Sequence, residues 1–234
     1  MLAYCDLHIH SCLSPCADDE MTPWNLVGMA KVKGLDVIAL TDHNCALNVP
    51  AALAAGKTYG VEVIPGMEIT TREEVHLLAY FPDAELALGF SCEIDAHLPD
   101  IPNRENLFGN QIIVNSKDEP CGKAPKLLLN ATDLTLDEAC ALTRKYHGIN
   151  VPAHINRGGN GMLGVLGLMP PLPEYPVVEV AARISCPESA VKGRFILHSS
   201  DAHRLEDISE RDFPLDIPAP TADAVFNWLR DKMV

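Results

Sequence analysis

Residues 35–42 read LDVIALTD. Four apolar residues, Val37 to Leu40, follow one another with no polar alternation. That pattern predicts a short strand buried on both faces, the kind found in parallel sheets. Its neighbours support this. Upstream, MTPWNLVGMAKVKG (21–34) predicts a helix, with Thr22 as N-cap, Pro23 at the first helical position and Gly34 just past the end. Downstream, NVPAALAAGKTYG (48–60) predicts a second helix, also stopped by glycine. MLAYCDLHIH (1–10), VEVIPGMEIT (61–70) and EVHLLAYF (74–81) read as further strands.

The alternation continues along the chain. DAELALGFSCEIDAHL (83–98) predicts a helix. TLDEACALTRKYHG (135–148) predicts another, with Thr135 and Glu138 in a capping-box pattern. INVPAHI (149–155), PVVEVAAR (176–183) and GRFILHSSDAH (193–203) read as strands, and TADAVFNWLRDKM (221–233) closes as a helix. Repeated strand and helix over 234 residues point to an α/β fold with a parallel sheet, either barrel or doubly wound. One domain covering 1–234 is expected. Residues 99–134 look irregular, apart from one strand at QIIVN (111–115), and are expected to form an insertion covering one end of the sheet.

Composition narrows the class. Hydrophobic residues make up 47% and charged residues 21%, as in ordinary globular proteins. No apolar run approaches the roughly 20 residues of a membrane helix. MLAYCD lacks the basic and apolar regions of a secretory signal. Eight irregularly spaced cysteines in a chain of this size read as reduced thiols, so a cytoplasmic location is expected. A net charge of −14 disfavours holding nucleic acid by phosphate neutralisation and leaves small phosphorylated substrates as the expected partners. GNGMLG (159–164) fits G-x-G-x-x-G, with Glu179 at the distance of a ribose contact. Pro170 and Pro171 cut the following helix too short for a crossover, so a dinucleotide site is not expected.

The polar residues fall at strand ends, where parallel α/β folds collect function. The first strand ends in His8 and His10, the second in Asp42 and His43, the third in Glu68. Two later strands run into His154 and into Asp201 and His203. Asp6, His8 and His10 share one strand face, with the histidine Cα atoms about 7 Å apart at a rise of ~3.3 Å per residue. Both rings can therefore reach one ion. Imidazole with carboxylate suits Zn, Mn, Fe or Ni, and the surplus of ligands suggests two or three ions. Close metals lower the pKa of a bridging water and favour in-line displacement.

Together DLHIHS, GLDVIALTDHN, PGMEITT, EVHLLAYF, PAHI and SSDAH resemble, in order and spacing, the PHP (polymerase and histidinol phosphatase) family. The resemblance covers 1–82 and 148–204. It implies a distorted (β/α)7 barrel, a cluster of divalent ions (Zn, Mn or Fe) and phosphoesterase activity through a metal-bridging hydroxide. It implies a first ion held by His8, His10, Glu68 and Asp201, a second by Glu68, His76 and His154, and a third by a first-loop acid, His43 and His203. The first loop, SCLSPCADDE (11–20), is longer than in many relatives. Asp18 is taken as its ligand, with Asp19 behind it and with Cys12 and Cys16 close enough to be considered. His203 is also a candidate proton donor to the leaving group, and Arg157 a candidate contact to substrate phosphate. The rival readings are a non-catalytic metal-binding or nucleotide-sensing module, and an amidohydrolase-like enzyme acting on a non-phosphate bond.

Overall fold

The computed structural model describes residues 1–233. It shows a mixed α/β fold built on one curled sheet. In chain order the elements begin with β1 (Leu2–Ile9), α1 (Pro23–Val32), β2 (Val37–Leu40), α2 (Val49–Tyr59), β3 (Glu62–Thr70), β4 (His76–Tyr80) and α3 (Ala84–His97). A middle segment carries α4 (Glu105–Phe108), β5 (Ile112–Val114) and β6 (Pro120–Lys123). There follow α5 (Leu136–Lys145), β7 (Ile149–Pro152), α6 (Met162–Leu166), β8 (Val177–Glu179), α7 (Glu188–Val191), β9 (Phe195–Leu197), β10 (Pro214–Asp216) and α8 (Ala222–Lys232).

The six-stranded sheet has the order β10-β1-β2-β3-β4-β7, and β8 and β9 form a separate parallel pair. β1, β2 and β3 run parallel, whereas β4 is antiparallel to both β3 and β7. Single bonds stitch the pair to the sheet: Ile155 N–H donates to the Glu179 carbonyl at 2.9 Å, and His10 N–H to the Ala202 carbonyl at 3.0 Å. The strand ladders therefore form a curled half-barrel, which is less than the full set of strands of the expected distorted (β/α)7 barrel.

β2 shows why the sheet is buried on both sides. Ile38 and Leu40 pack with Leu26 and Val27 of α1 and Ala52 of α2. Val37 and Ala39 pack with Leu7, Tyr80 and, from α8, Val225 and Leu229. The Tyr80 hydroxyl, fully buried, donates to the Leu7 carbonyl at 2.8 Å and ties β4 to β1.

The predicted caps form. Thr22 Oγ1 accepts from Asn25 N–H, and α2 ends at Gly60 in the left-handed region (φ 68°). Thr135 and Glu138 make the reciprocal capping box of α5. The segment expected to be irregular contains the β5–β6 hairpin, which lies against the first loop: Ile112 N–H donates to the Cys12 carbonyl at 2.8 Å. α6 is five residues long, too short for a dinucleotide crossover. Its glycines serve close approach instead. A Cβ on Gly164 would lie 2.5 Å from the Arg157 carbonyl oxygen, and one on Gly161 2.7 Å from that of His154. The glycine-rich stretch is thus a tight corner that seats His154 and Arg157.

Candidate metal centre

The site lies where β1, β2, β3, β7 and β9 deliver their C-terminal ends. β4 contributes the opposite end: because it is antiparallel, its first residue, His76, pairs with Thr70 near the end of β3 and reaches the same edge. Glu68 is the hub. Its carboxylate is fully buried and has five imidazoles around it. Oε1 lies 3.2 Å from His8 Nε2, 2.8 Å from His76 Nδ1 and 3.1 Å from His154 Nε2. Oε2 lies 3.3 Å from His10 Nε2 and 3.0 Å from His43 Nδ1. Asp201 Oδ1 sits 3.2 Å from His8 Nε2 and 3.1 Å from His10 Nε2.

Three sets of ligand atoms converge within 4.8 Å: His8, His10, Glu68 and Asp201; His43, Glu68 and His76; and His10, His43 and His203. The first is the set the sequence groups together. The others redistribute the expected partners, since His43 faces both Glu68 and His203. His154 touches Glu68 but joins no set of three.

The donor chemistry fits divalent cations. His43 Nδ1, Glu68 Oε2, His76 Nδ1, His154 Nδ1 and Asp201 Oδ1 are buried and make no hydrogen bond. Each such atom costs on the order of 1–3 kcal/mol when left unsatisfied. Several in one pocket make sense as lone pairs held for ions. Backbone strain collects here too. His154 (φ 27°) and Asp201 (φ 53°) both have positive φ, which is uncommon for residues other than glycine.

The electrostatics of the cluster follow from burial set against neighbouring charge. Burial opposes a charged His8, but Glu179, Asp201 and Glu68 outweigh it and raise its pKa well above the usual value. Burial also opposes ionised Glu68 and Asp201, yet the surrounding imidazoles hold both below the usual carboxylate range. His203 goes the other way: burial and the charge of His10 push it down to about 3. Its Nδ1 lies 2.8 Å from the Asp201 carbonyl oxygen. It must donate there, which leaves Nε2 as its one lone pair. A single nitrogen cannot both bind a cation and pass a proton, so the two expected roles of His203 compete.

Supporting residues fix the rings. Glu179 Oε2 accepts from His8 Nδ1 at 2.9 Å and from His154 N–H at 2.8 Å. This is the carboxylate–histidine arrangement that orients metal ligands. The sequence pattern suggested Glu179 only as a ribose contact, in a dinucleotide site that was not expected. Its place at the end of a strand was the missed signal. Asp42 accepts from Ser11 N–H, the Ser11 hydroxyl and the Ser14 hydroxyl, and Ser14 Oγ lies 3.0 Å from His10 Nδ1. Asp6 does not join the cluster. It accepts from Ser200 N–H at 3.0 Å and Ser209 N–H at 2.9 Å and pins the loop that carries Asp201.

Asp18, expected to be the first-loop ligand, stands away from the cluster. Its side chain is 58% exposed and points to Arg204, 3.6 Å away. The long first loop carries it outward, and its own N–H is spent on the His203 carbonyl. Arg157 Nη1 contacts Asp201 Oδ2 at 2.5 Å. It lines a cavity of about 500 Å³ together with His154, Arg183, Ser199, Ser200 and Asp201, while Glu206, Asp207, Glu210 and Asp212 form another part of the wall.

A curled α/β sheet with a histidine–carboxylate cluster at one edge is an arrangement suited to holding metal ions. The PHP domain family model matches residues 6–149, more than half of the chain, and the chain belongs to that family. It is 41% identical over 69 residues to a 5'-3' exoribonuclease of Haemophilus influenzae, covering 30% of this chain and 24% of that one. It is 34% identical over 91 residues to a 3',5'-nucleoside bisphosphate phosphatase of Chromobacterium violaceum, covering 37% and 31%. The fold matches the lesion-specific endonuclease Q of Pyrococcus furiosus with a TM-score of 0.68 at 18% identity, over 99% of this chain and 56% of that one. The chain thus spans about half of endonuclease Q and a third or less of the two sequence relatives.

A second endonuclease Q structure, matched with a TM-score of 0.66 over 99% of this chain, holds a 27-mer duplex substrate with an abasic lesion at the active site. This overturns the expectation that net charge leaves a small phosphorylated substrate and disfavours nucleic acid. Charge summed over a whole chain does not describe the potential at one edge of its sheet. Among the described residues no helix is long and apolar enough to cross a membrane.

Proposed function

We propose that the chain is a metal-dependent phosphoesterase that hydrolyses phosphodiester bonds in nucleic acid at the Glu68 cluster. The observation that carries the reading is the convergence of five imidazoles on one buried carboxylate, with Asp201 beside it and several of the lone pairs left free. The likeness in fold to endonuclease Q supports the substrate class.

His8, His10, Glu68 and Asp201 would hold one ion, and His43, His76 and Glu68 a second, with His154 alongside. Bound divalent ions, Zn, Mn or Fe, would supply Lewis acidity and a water activated at neutral pH. The chain's own residues do the rest. Arg157, half-exposed at the cavity wall, offers its remaining guanidinium donors to non-bridging phosphate oxygens, and Arg183 extends that cationic wall. Glu179 fixes the tautomer of His8 by accepting from Nδ1, which turns Nε2 toward the cluster. Glu68, His8 and His10 form a fully buried floor, which excludes bulk water behind the reacting phosphate. His203 Nε2 is assigned to cation binding, and protonation of the leaving oxygen falls to solvent at the open cavity.

The test uses end-labelled single-stranded and duplex oligonucleotides, with and without an abasic site, and protein stripped and then reloaded with Zn, Mn or Fe. Cleavage that needs the ion and is lost in Asp201→Ala supports the proposal. Stoichiometric metal binding with no cleavage of any strand overturns it.

A further inference from the structure

We propose that Phe213, held against His198, is a stacking platform for the base of one unpaired nucleotide, which enters the cavity beside the Glu68 cluster while its phosphate lies against Arg157. The inference deepens the nucleic-acid reading and rests on it, since it names what the cavity receives.

The cavity of about 500 Å³ adjoins the cluster: His154, Glu179 and Asp201 line it, and so do His198 and Phe213. That volume suits a ligand of the size of one nucleotide. A paired strand would have to turn a base out to fill it. The charge of the wall is divided. Arg157 and Arg183 follow β7 and β8, whereas Glu206, Asp207 and Asp212 belong to the segment between β9 and β10 that ends in Phe213. A nucleotide is divided in the same way, with an anionic phosphate at one end and a neutral base carrying N–H donors at the other. The arginines take the phosphate end. The carboxylates repel a phosphate from the aromatic end, so the base is the part that faces Phe213.

Phe213 serves no core. It is 49% exposed and packs against none of the buried apolar clusters among the described residues. Its ring lies 4.3 Å, centroid to centroid, from that of His198, tilted by 37°. An aromatic ring set in a polar cavity is the device that stacks a base whatever its identity.

Both members of the pair are fixed. His198 Nδ1 donates to the Val180 carbonyl at 2.8 Å. Two residues before Phe213, Arg211 lies 3.9 Å over the Tyr4 ring and donates to the Gly34 carbonyl at 3.0 Å. Pro214, next in the chain, pairs with Tyr4 in the β10–β1 ladder. The platform therefore stands in place before a strand arrives, and little ordering entropy is lost on binding. Two buried groups of residues lining the same cavity also lack partners: Glu179 Oε1, in a residue 1% exposed, and Ser199 Oγ. A nucleoside brings hydroxyl and amino donors that a carboxylate oxygen accepts.

Fluorescence anisotropy of labelled single strands, read on mixing with the metal-loaded full chain and before turnover, tests this. Two strands of equal length and charge are compared, one intact and one with every base removed. The parent is expected to bind the intact strand more tightly. Phe213→Ala is expected to weaken that binding by ~5- to 150-fold, the range of one lost base–aromatic stack, and to leave the base-free strand unchanged. Phe213→Trp is expected to restore the preference, which also shows that the segment tolerates replacement. Equal binding of both strands by the parent, unchanged binding of the intact strand by Phe213→Ala, an equal loss for both strands, or Phe213→Trp as weak as Phe213→Ala each overturns the assignment. Base-dependent binding without turnover keeps this inference and removes the proposed hydrolysis; turnover with base-independent binding does the reverse.

Discussion

Glu179→Gln tests whether the cluster is built for cations. The carboxylate is buried, with 1% of the residue exposed, and one oxygen serves two donors: His8 Nδ1 at 2.9 Å and the His154 backbone N–H at 2.8 Å. Burial alone would raise its pKa, but the charge of His8 outweighs burial and holds it below the usual value, so the group is an anion across the neutral range. Glutamine keeps the shape and removes the charge. Its amide oxygen can still accept from both donors, but as a neutral group, and its NH2 then stands where Oε1 is buried without a hydrogen-bond partner. The bonds that point His8 Nε2 at the cluster and hold the His154 backbone lose their charge-assisted strength, and a buried N–H donor is left unsatisfied. Removing a partner of this kind costs about 10- to 100-fold in metal affinity, or ~1.4–2.7 kcal/mol. The assay is competition for zinc against a fluorescent chelator, with circular dichroism confirming the fold. A variant that binds every ion as tightly as the parent refutes the claim that Glu179 organises the site.

Four further outcomes are expected. Phe90 is fully buried, with ring centroids 4.9 Å from Phe81 and 5.7 Å from Tyr146. Phe90→Ala should therefore cost about 3–5 kcal/mol in urea denaturation. Thr221 caps α8 by accepting from Ala224 N–H at 3.2 Å. Thr221→Ala should cost ~1 kcal/mol by the same measure. Glu138 has its pKa lowered by the Thr135 backbone N–H and hydroxyl. Its contribution, read as the difference in melting temperature from Glu138→Gln, should be complete above the ordinary pKa of ~4.3 and vanish as pH falls through the lower folded value. Stripping metal with a chelator should lower the melting temperature, and re-adding ion at ~100 times its Kd should restore about 2.7 kcal/mol per site.

Elements governed by local rules were legible in the sequence. α1, α2, α5 and α8 carry start or stop signals that act over three or four residues, and β2 declares its burial in four consecutive apolar residues. What escaped depends on distant partners. β10 is opened by Pro214 and exists by pairing antiparallel to β1, from the other end of the chain. Proline is tolerated there because the strand lies at the sheet edge. The direction of β4 is equally silent in EVHLLAYF, although that direction brings His76 to the cluster from the start of its strand. Asp18 shows the limit of reading a loop by its residue types: spacing offered an acid, and only the path of the chain shows that it faces Arg204. Glu179 shows the reverse, since the strand-end rule that found Glu68 applies equally to PVVEV.

The charge argument failed for a reason that bears on mechanism. At physiological ionic strength the screening length is ~8 Å. Most of the net charge of −14 therefore lies too far away to act on a phosphate at the cluster. What acts there is local. Glu68, Asp201, Glu179 and Asp42 are buried carboxylates of the site, two divalent cations match their four negative charges, and Arg157 adds one positive charge at the cavity wall. An acidic chain thus turns phosphate-attracting at a single edge, and only when the ions are bound. Affinity for a nucleic acid strand should then rise with metal occupancy, with a shallow dependence on salt, because few phosphates are neutralised by fixed side chains. A steep salt dependence that persists after the ions are stripped would place the strand on a different, basic surface.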